Sequence, residues 1–203
     1  ESANTFTARI TGLPKWYQDG AQYIHMGLGV RYVEAQDGVI RLKGKNESNI
    51  TSNFVDTGNI EADSQFNLSF EQLWSLENFS VLLEYVHSWV DTDSGYEQFH
   101  GYYATGSYVL SGDPRPYDKR SAYARRIMPD GKYGALELVG RVGRINLVSS
   151  TIDGGLLYRW DLGLNWWATQ YWKAGIVYGI GNLKKDEVVG VTNSIQMRVQ
   201  WIY

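Results

Sequence analysis

The chain has no cysteine. Disulfide frameworks, thiol nucleophiles, iron–sulfur clusters and cysteine-ligated zinc are therefore excluded. Proline is scarce, with 4 in 203 residues. No uninterrupted apolar run approaches the ~18 residues of a membrane-crossing helix. Neither sign of charge dominates: 19 Lys and Arg stand against 22 Asp and Glu, a net −3. That balance, with signs alternating along the chain, argues against a general nucleic-acid binder. None of these absences excludes a membrane barrel, whose strands carry apolar residues only at every second position. What the chain does have is glycine and aromatic residues: 22 Gly, 8 Trp, 15 Tyr and 6 Phe.

The apolar residues follow a period of two. Over 190–203 the odd positions include Val191, Ile195, Met197, Val199, Trp201 and Tyr203, and Thr192, Ser194, Gln196, Arg198 and Gln200 lie between them. Over 154–168 Leu156, Tyr158, Trp160, Leu162, Leu164 and Trp166 alternate with Arg159, Asp161, Gly163 and Asn165. Residues 171–181 set Trp172, Ala174, Ile176, Tyr178 and Ile180 against Lys173, Gly175, Val177 and Gly179. A helix would need a period of 3.6. Further strands are predicted at 133–146, 97–110, 79–90, 65–75, 22–33 and 3–13, with shorter ones at 38–45 and 51–57. Turns or loops are expected at 91–96 and 181–189, where Asp, Gly and Asn gather.

Three features favour a membrane barrel over a soluble sandwich. The strands exceed the ~5–6 residues usual in globular proteins. Their polar faces are rich in Gly, Ser, Asn and Arg, which suits a watery lumen. Aromatics collect at the ends of the apolar faces: Trp74, Phe79, Trp166, Trp172, Trp201 and Tyr203 at one end, and Tyr32, Trp89, Tyr158 and Tyr178 toward the other. Two such girdles match the two headgroup layers. The expected fold is all-β, an antiparallel transmembrane β-barrel forming one domain over 1–203.

A last strand ending in an aromatic is typical of outer-membrane barrels and finishes on the periplasmic side. Counting back from Tyr203 puts the short turns at 168–171 and 75–79 on that side, where short turns belong. The count of eleven strands is odd, however, whereas a single bacterial chain closes its barrel with an even number. An open sheet would leave backbone N–H and C=O groups unpaired in lipid. The chain also begins at Glu1 without a Met. That start fits a secreted precursor without its leader or a piece of a longer chain, and the odd count, unless one weak strand is misassigned, favours the C-terminal part of a longer barrel. The same parity places residues 111–132 on the periplasmic side, where they break the short-turn rule. This segment carries Arg115, Lys119, Arg120, Arg125 and Arg126; it either folds back into the lumen and narrows the pore or forms a disordered or peripheral periplasmic loop.

Several stretches together resemble a known family. Phe99-His-Gly-Tyr-Tyr-Ala-Thr-Gly-Ser-Tyr-Val-Leu-Ser-Gly-Asp-Pro-Arg-Pro-Tyr117 resembles the GYY…GSY…RPY run of the phosphate-selective porins O and P. Thr11-Gly-Leu-Pro14, His25-Met-Gly27, Phe54-Val-Asp-Thr-Gly58, Gly134-Ala-Leu-Glu-Leu138, Gly163-Leu-Asn-Trp166 and Ile195-Gln-Met-Arg-Val-Gln200 are similar to that family too, in family order. The resemblance implies a 16-stranded, trimeric anion channel of the bacterial outer membrane, of which this chain would supply strands six to sixteen.

The charge on the lumen side is readable without the family. The inward bases by alternation are Arg9, Arg31, Arg41, Lys43, Arg141, Arg159, Lys173 and Arg198, eight in all, against the four acids Glu71, Glu84, Glu137 and Asp161. A basic wall in a low-dielectric tube concentrates anions, and the planar fork of arginine suits phosphate or carboxylate. Arginines paired with acids along or across strands, such as Arg159 with Asp161 and Arg141 with Glu137, would instead stiffen the wall. No lipid-facing charge is expected in the strands.

Catalytic signals are weak. His25, His87 and His100 lie on different strands, the latter two facing outward by alternation, and no Gly-x-Ser-x-Gly or His-Glu-x-x-His occurs. Gly27-Leu-Gly29 and Gly179-Ile-Gly181 lack the third glycine and the following helix of a dinucleotide loop. Asp91, Asp93 and Glu97 bracket an external loop that could hold Ca²⁺, a solvated loop being the plainer reading. No enzyme, metal or cofactor is expected. The function expected is passive diffusion of small anions, with phosphate or polyphosphate as candidates. The alternative is a barrel serving as scaffold or sheath for a partner protein. Small anions, outer-membrane lipid and two further copies of the chain are the expected partners, with no nucleic acid.

Overall fold

A computed structural model describes residues 4–47, 51–186 and 188–202. Among them, nine long strands form one antiparallel sheet in which each strand pairs with its sequence neighbour. They are β1 (Thr5–Tyr17), β2 (Gln22–Glu34), β3 (Ser64–Leu76), β4 (Phe79–Thr92), β5 (Gly95–Val109), β6 (Ala135–Val148), β7 (Asp153–Trp167), β8 (Trp172–Lys185) and β9 (Val188–Trp201). No α-helix occurs among the described residues. Tyr203, the expected final aromatic, lies outside them.

The turns at 18–21, 77–78 and 168–171 and the segment 110–134 share the lower end of the sheet; the described residues of 35–63, with 93–94, 149–152 and Asp186, share the upper end. The strands run further than alternation alone implied. β4 and β5 meet across only Asp93 and Ser94, and β8 and β9 across two residues. The β3–β4 turn is equally tight, and Glu77 takes φ 57 in it, the left-handed conformation that two-residue hairpins require. Pro14 sits where the β1–β2 register shifts between Gly12 and Lys15. β1 is an edge strand, which tolerates both the missing N–H and the bulge.

Alternation separates two faces. On one face Ile10, Leu28, Phe70, Leu83, Leu138, Leu162, Ile176, Ile195 and Met197 are all exposed, Met197 at 77%. A contiguous apolar surface across nine strands has no counterpart on a soluble monomer; it is the hydrocarbon-facing side of a barrel wall. At its lower margin Trp74, Phe79, Tyr108, Trp166, Trp172 and Trp201 form an aromatic row, with the rings of Trp172 and Trp201 stacked at 6.2 Å.

Two predicted wall strands are corrected. Residues 38–45 and 51–57 form no part of the sheet. They lie in segment 35–63, as two-residue ladders Val39–Ile40 with Ile60–Glu61 and Lys43–Gly44 with Val55–Asp56. Their apolar side chains do not face lipid. Ile40, Val55 and Ile60 pack with Val90, Phe99, Leu147 and Leu157 into a core on the inner face of the sheet. Short alternating stretches broken by Asp37-Gly38 and Gly58, both with positive φ at the glycine, turn back on themselves before they can span a membrane. The described sheet thus has nine strands, not eleven. The count stays odd, and the edge strands β1 and β9 each pair on one side only.

Candidate pore-lining site

The inner face carries Gly, Ser, Asn and charged residues, and both long segments fold over it. From below, segment 110–134 crosses toward β1 and β2. The Tyr23 hydroxyl donates to Arg115 O at 3.2 Å, Arg9 Nη2 donates to Ala122 O at 3.2 Å, and Lys119 Nζ lies 3.7 Å from the Trp16 ring centre. His25, 4% exposed, has Nδ1 2.6 Å from the Tyr117 hydroxyl and Nε2 3.0 Å from Glu71 Oε1. A carboxylate accepts only, so Nε2 donates to Glu71 and Nδ1 is left to meet Tyr117. Arg115 is ion-paired with Glu137, whose other oxygen accepts from Asn165 Nδ2 at 3.0 Å and Trp167 Nε1 at 2.9 Å. Ile127 packs with Val109, Ala135 and Trp167 as a second buried cluster under the same segment.

From above, segment 35–63 reaches across to β6–β8. Arg159 Nη1 donates to Asn46 O at 2.9 Å, and the Asn46 amide itself is buried against β8. A Cβ on Gly181 would lie 2.7 Å from Asn46 Oδ1, and one on Gly179 would strike Arg159, so glycines on β8 make room for both side chains. Arg141 pairs with Glu47 at 3.1 Å and stacks 3.9 Å from the Tyr103 ring centre. Lys185 Nζ donates to Asp56 O at 3.0 Å. Within the segment, Arg41 binds Asp56 through both Nε and Nη2, at 2.8 and 2.6 Å. These bonds hold the Asp56 carboxyl well below the usual carboxylate range and raise Arg41 in turn.

The candidate residues fall into three groups. Arg9, Arg141 and Arg159 face inward and are paired, with Glu71, Glu47 and Asp161. Arg31, Lys173 and Arg198 face inward at positions opposite Asn67, Gln200 and Gly175, and none has an ion pair among the described residues. Lys173 Nζ rests 4.3 Å from the Trp167 ring centre. Lys173 and Arg198 line a cavity of about 490 Å³ with Asn165, Gln196 and Gln200. Arg41 and Lys43 form the third group and lie on segment 35–63 rather than on the wall, which is a correction. On segment 110–134, Arg115 is paired with Glu137 and Arg125 lies 3.8 Å from Asp118. Arg120 and Arg126 carry no ion pair among the described residues.

The inward charge balance changes accordingly. The wall bases number seven, without Arg41 and Lys43 but with Lys185 added at the end of β8, and Glu97 joins the wall acids to make five. The excess is two rather than four. Glu97, which with Asp91 and Asp93 brackets the predicted external loop, is 3% exposed on β5 and accepts from Ser150 and Thr151, so it is not free to join them on a cation. No metal-holding cluster occurs among the described residues. The predicted absence of lipid-facing charge is also corrected: Arg144, opposite Tyr158 and Tyr102, shares the outer face with Leu136 and Leu138. His87 and His100 share that face and stand directly opposite one another on β4 and β5. No sequence signal pointed to Asn46, Glu47, Asp56 or Tyr117, because each acts through a partner at least one strand away in the fold or across a turn.

No curated protein matches the chain. A family model described as phosphate-selective porin O and P matches residues 14–203, in accord with the resemblance carried by the motifs. With its apolar outer belt, polar inner face and inward-folded segments, the chain belongs to the phosphate-selective porin O and P family, a family of outer-membrane channels.

Proposed function

We propose that the chain forms part of a water-filled outer-membrane pore that passes small anions down their gradient, with phosphate or polyphosphate as the physiological class. The lower end of the sheet faces the periplasm in this reading. The observation that carries it is the lower chamber: Lys173 and Arg198 face an open cavity, and among the described residues no carboxylate is paired to either. Lys119, Arg120 and Arg126 on the folded-in segment add positive charge at the same end. Cations held by aromatic and amide neighbours keep their field for the lumen, and each replaces part of an anion's hydration without holding it too tightly to leave.

Closure needs further strands. β1 and β9 run in the same direction, so they cannot close the wall as an antiparallel pair, and an open edge in lipid leaves backbone groups unsatisfied. An odd number of additional strands meets the requirement, as a 16-stranded porin would. Trimeric assembly belongs to the same proposal.

The test is planar-bilayer recording of the folded full-length protein under a KCl gradient. A reversal potential of the sign set by chloride, with current reduced by added phosphate, supports the reading. Cation preference overturns the anion assignment. Absence of any channel overturns the pore and leaves a scaffold for a partner protein.

A further inference from the structure

The outer face is asymmetric in a way that pore function does not use. Its lower margin ends in Trp74, Phe79, Trp166, Trp172 and Trp201. Its upper margin over β4–β8 sets cations and hydrogen-bonding groups among its aromatics Tyr85, Trp89, Tyr102 and Tyr158. The outward row of β6 reads Leu136, Leu138, Gly140, Val142 and then Arg144. That of β8 reads Ile176, Tyr178, Ile180, Asn182 and then Lys184. Eight residues separate Leu136 from Arg144, roughly 26 Å along a strand. With a typical barrel tilt this lifts Arg144 most of the way through an apolar band ~25 Å tall. Arg144 therefore stands where hydrocarbon gives way to headgroups.

The groups there are arranged but unfinished. The Arg144 guanidinium carbon lies 5.2 Å from the Tyr158 ring centre. Arg144 Nε and His87 Nε2 are shielded from solvent and have no hydrogen-bond partner among the described residues. His87 is oriented from its other side, with Nδ1 3.0 Å from the Tyr85 hydroxyl, and packs 4.1 Å from the Trp89 ring. His100 stacks on it at 6.2 Å. Among the described residues neither Arg144 nor Lys184 has an ion pair. β6 and β8 are two strands apart, about 10 Å, so the flexible side chains of Arg144 and Lys184 can converge on one anion. Buried polar atoms left without partners in a native structure call for one, and a guanidinium at headgroup depth is matched by a phosphate.

We infer that Arg144 and Lys184, with His87 and His100 beside them, form a binding site on the outside of the wall for the phosphorylated headgroup of a lipid in the facing leaflet. The inference rests on the outer-membrane reading and concerns a surface separate from the lumen. The lipid's acyl chains lie along the apolar rows below Arg144 while its phosphate meets the cations above. Arg144 binds by its planar fork and Lys184 as a point charge.

The experiment compares heat-unfolding midpoints of the full-length protein in detergent with increasing bis-phosphorylated lipid A, its dephosphorylated form, or inorganic phosphate. The expected result is a rise in midpoint with the phosphorylated lipid only. K184Q and the double variant R144Q/K184Q should require at least tenfold more phosphorylated lipid for the same shift, while conductance and ion preference stay unchanged. Equal shifts from both lipids, or an undiminished response of folded K184Q, overturn the site. So does dissociation of the oligomer on substitution in the absence of lipid, which would make this face a contact between copies. A shift reproduced by inorganic phosphate alone also overturns the lipid assignment. Channel recording on the same samples keeps failure of this inference separate from failure of the pore.

Discussion

Arg115, on the segment that leaves β5, is ion-paired with Glu137 on β6, and the glutamate is only 2% exposed. The pair joins the folded-in segment to the wall at the point where Asn165 and Trp167 also donate to the carboxylate. Removing one partner of a buried pair leaves an uncompensated charge, at a cost of about 3–5 kcal/mol, whereas removing both is far milder. R115M should therefore lower stability by that order and raise single-channel conductance as the segment leaves the lumen. R115M/E137M should recover much of the stability. Urea unfolding and bilayer recording on the two variants measure both effects. Unchanged conductance in folded R115M would show that the segment does not obstruct flow.

Segment 35–63 has a corresponding anchor at Asn46. A valine at Gly181 would drive its side chain into Asn46, already 2.7 Å from the position a Cβ would take. G181V should break the Arg159–Asn46 contacts and expose the segment to protease, with a destabilisation of about 1–3 kcal/mol from the lost polar partners. Limited proteolysis of the folded protein, read as the rate of cutting within 35–63, gives the result directly. G190A, where nothing lies within 4 Å of the added Cβ, serves as the control.

Acid should loosen the same segment. The Arg41 bonds hold the Asp56 carboxyl below its ordinary value of 3.8. Because the folded value is depressed, the contact contributes fully above about pH 3.8 and is lost as pH falls through the folded value. Protection factors of the 51–57 amides, taken relative to intrinsic exchange at each pH, should fall at strongly acid pH relative to pH 7 in the native protein. D56N should show lowered protection already at pH 7 and lose most of the acid dependence of protection.

Selectivity should respond most to bases that have no acid partner. K173E/R198E reverses two charges at the lower cavity and should shift the reversal potential toward cations by a measurable fraction of its range. R9Q or R141Q, at paired arginines, should shift it less, because each changes the lumen charge by one unit where K173E/R198E changes it by four. A larger shift from the paired positions would place the selective field elsewhere on the wall.

Nine strands and their two faces were legible along the chain because strand alternation is local. Val191 to Trp201 and Leu156 to Trp166 show their facing directly, and a membrane wall admits no third environment. The count and the segments were less legible. Residues 38–45 and 51–57 alternate as wall strands do, yet they pair with parts of their own segment and bury Ile40 and Val55 against the inner face. Arg41 and Lys43 left the charge balance for the same reason, whereas Glu97 and Lys185 joined it as inward residues near the upper ends of β5 and β8.

The order of residues alone determined that this chain makes long antiparallel strands with an apolar side and a polar side, since a period of two leaves each side chain only one of two directions. Only the tertiary structure decided which bases remain unpaired. Arg159 meets Asn46 and Arg9 meets Ala122, each 113 residues apart in the chain, and Arg115 meets Glu137 through a fold-back segment. Those pairings depend on where two long segments come to rest across the sheet, a non-local packing outcome that no period in the sequence encodes.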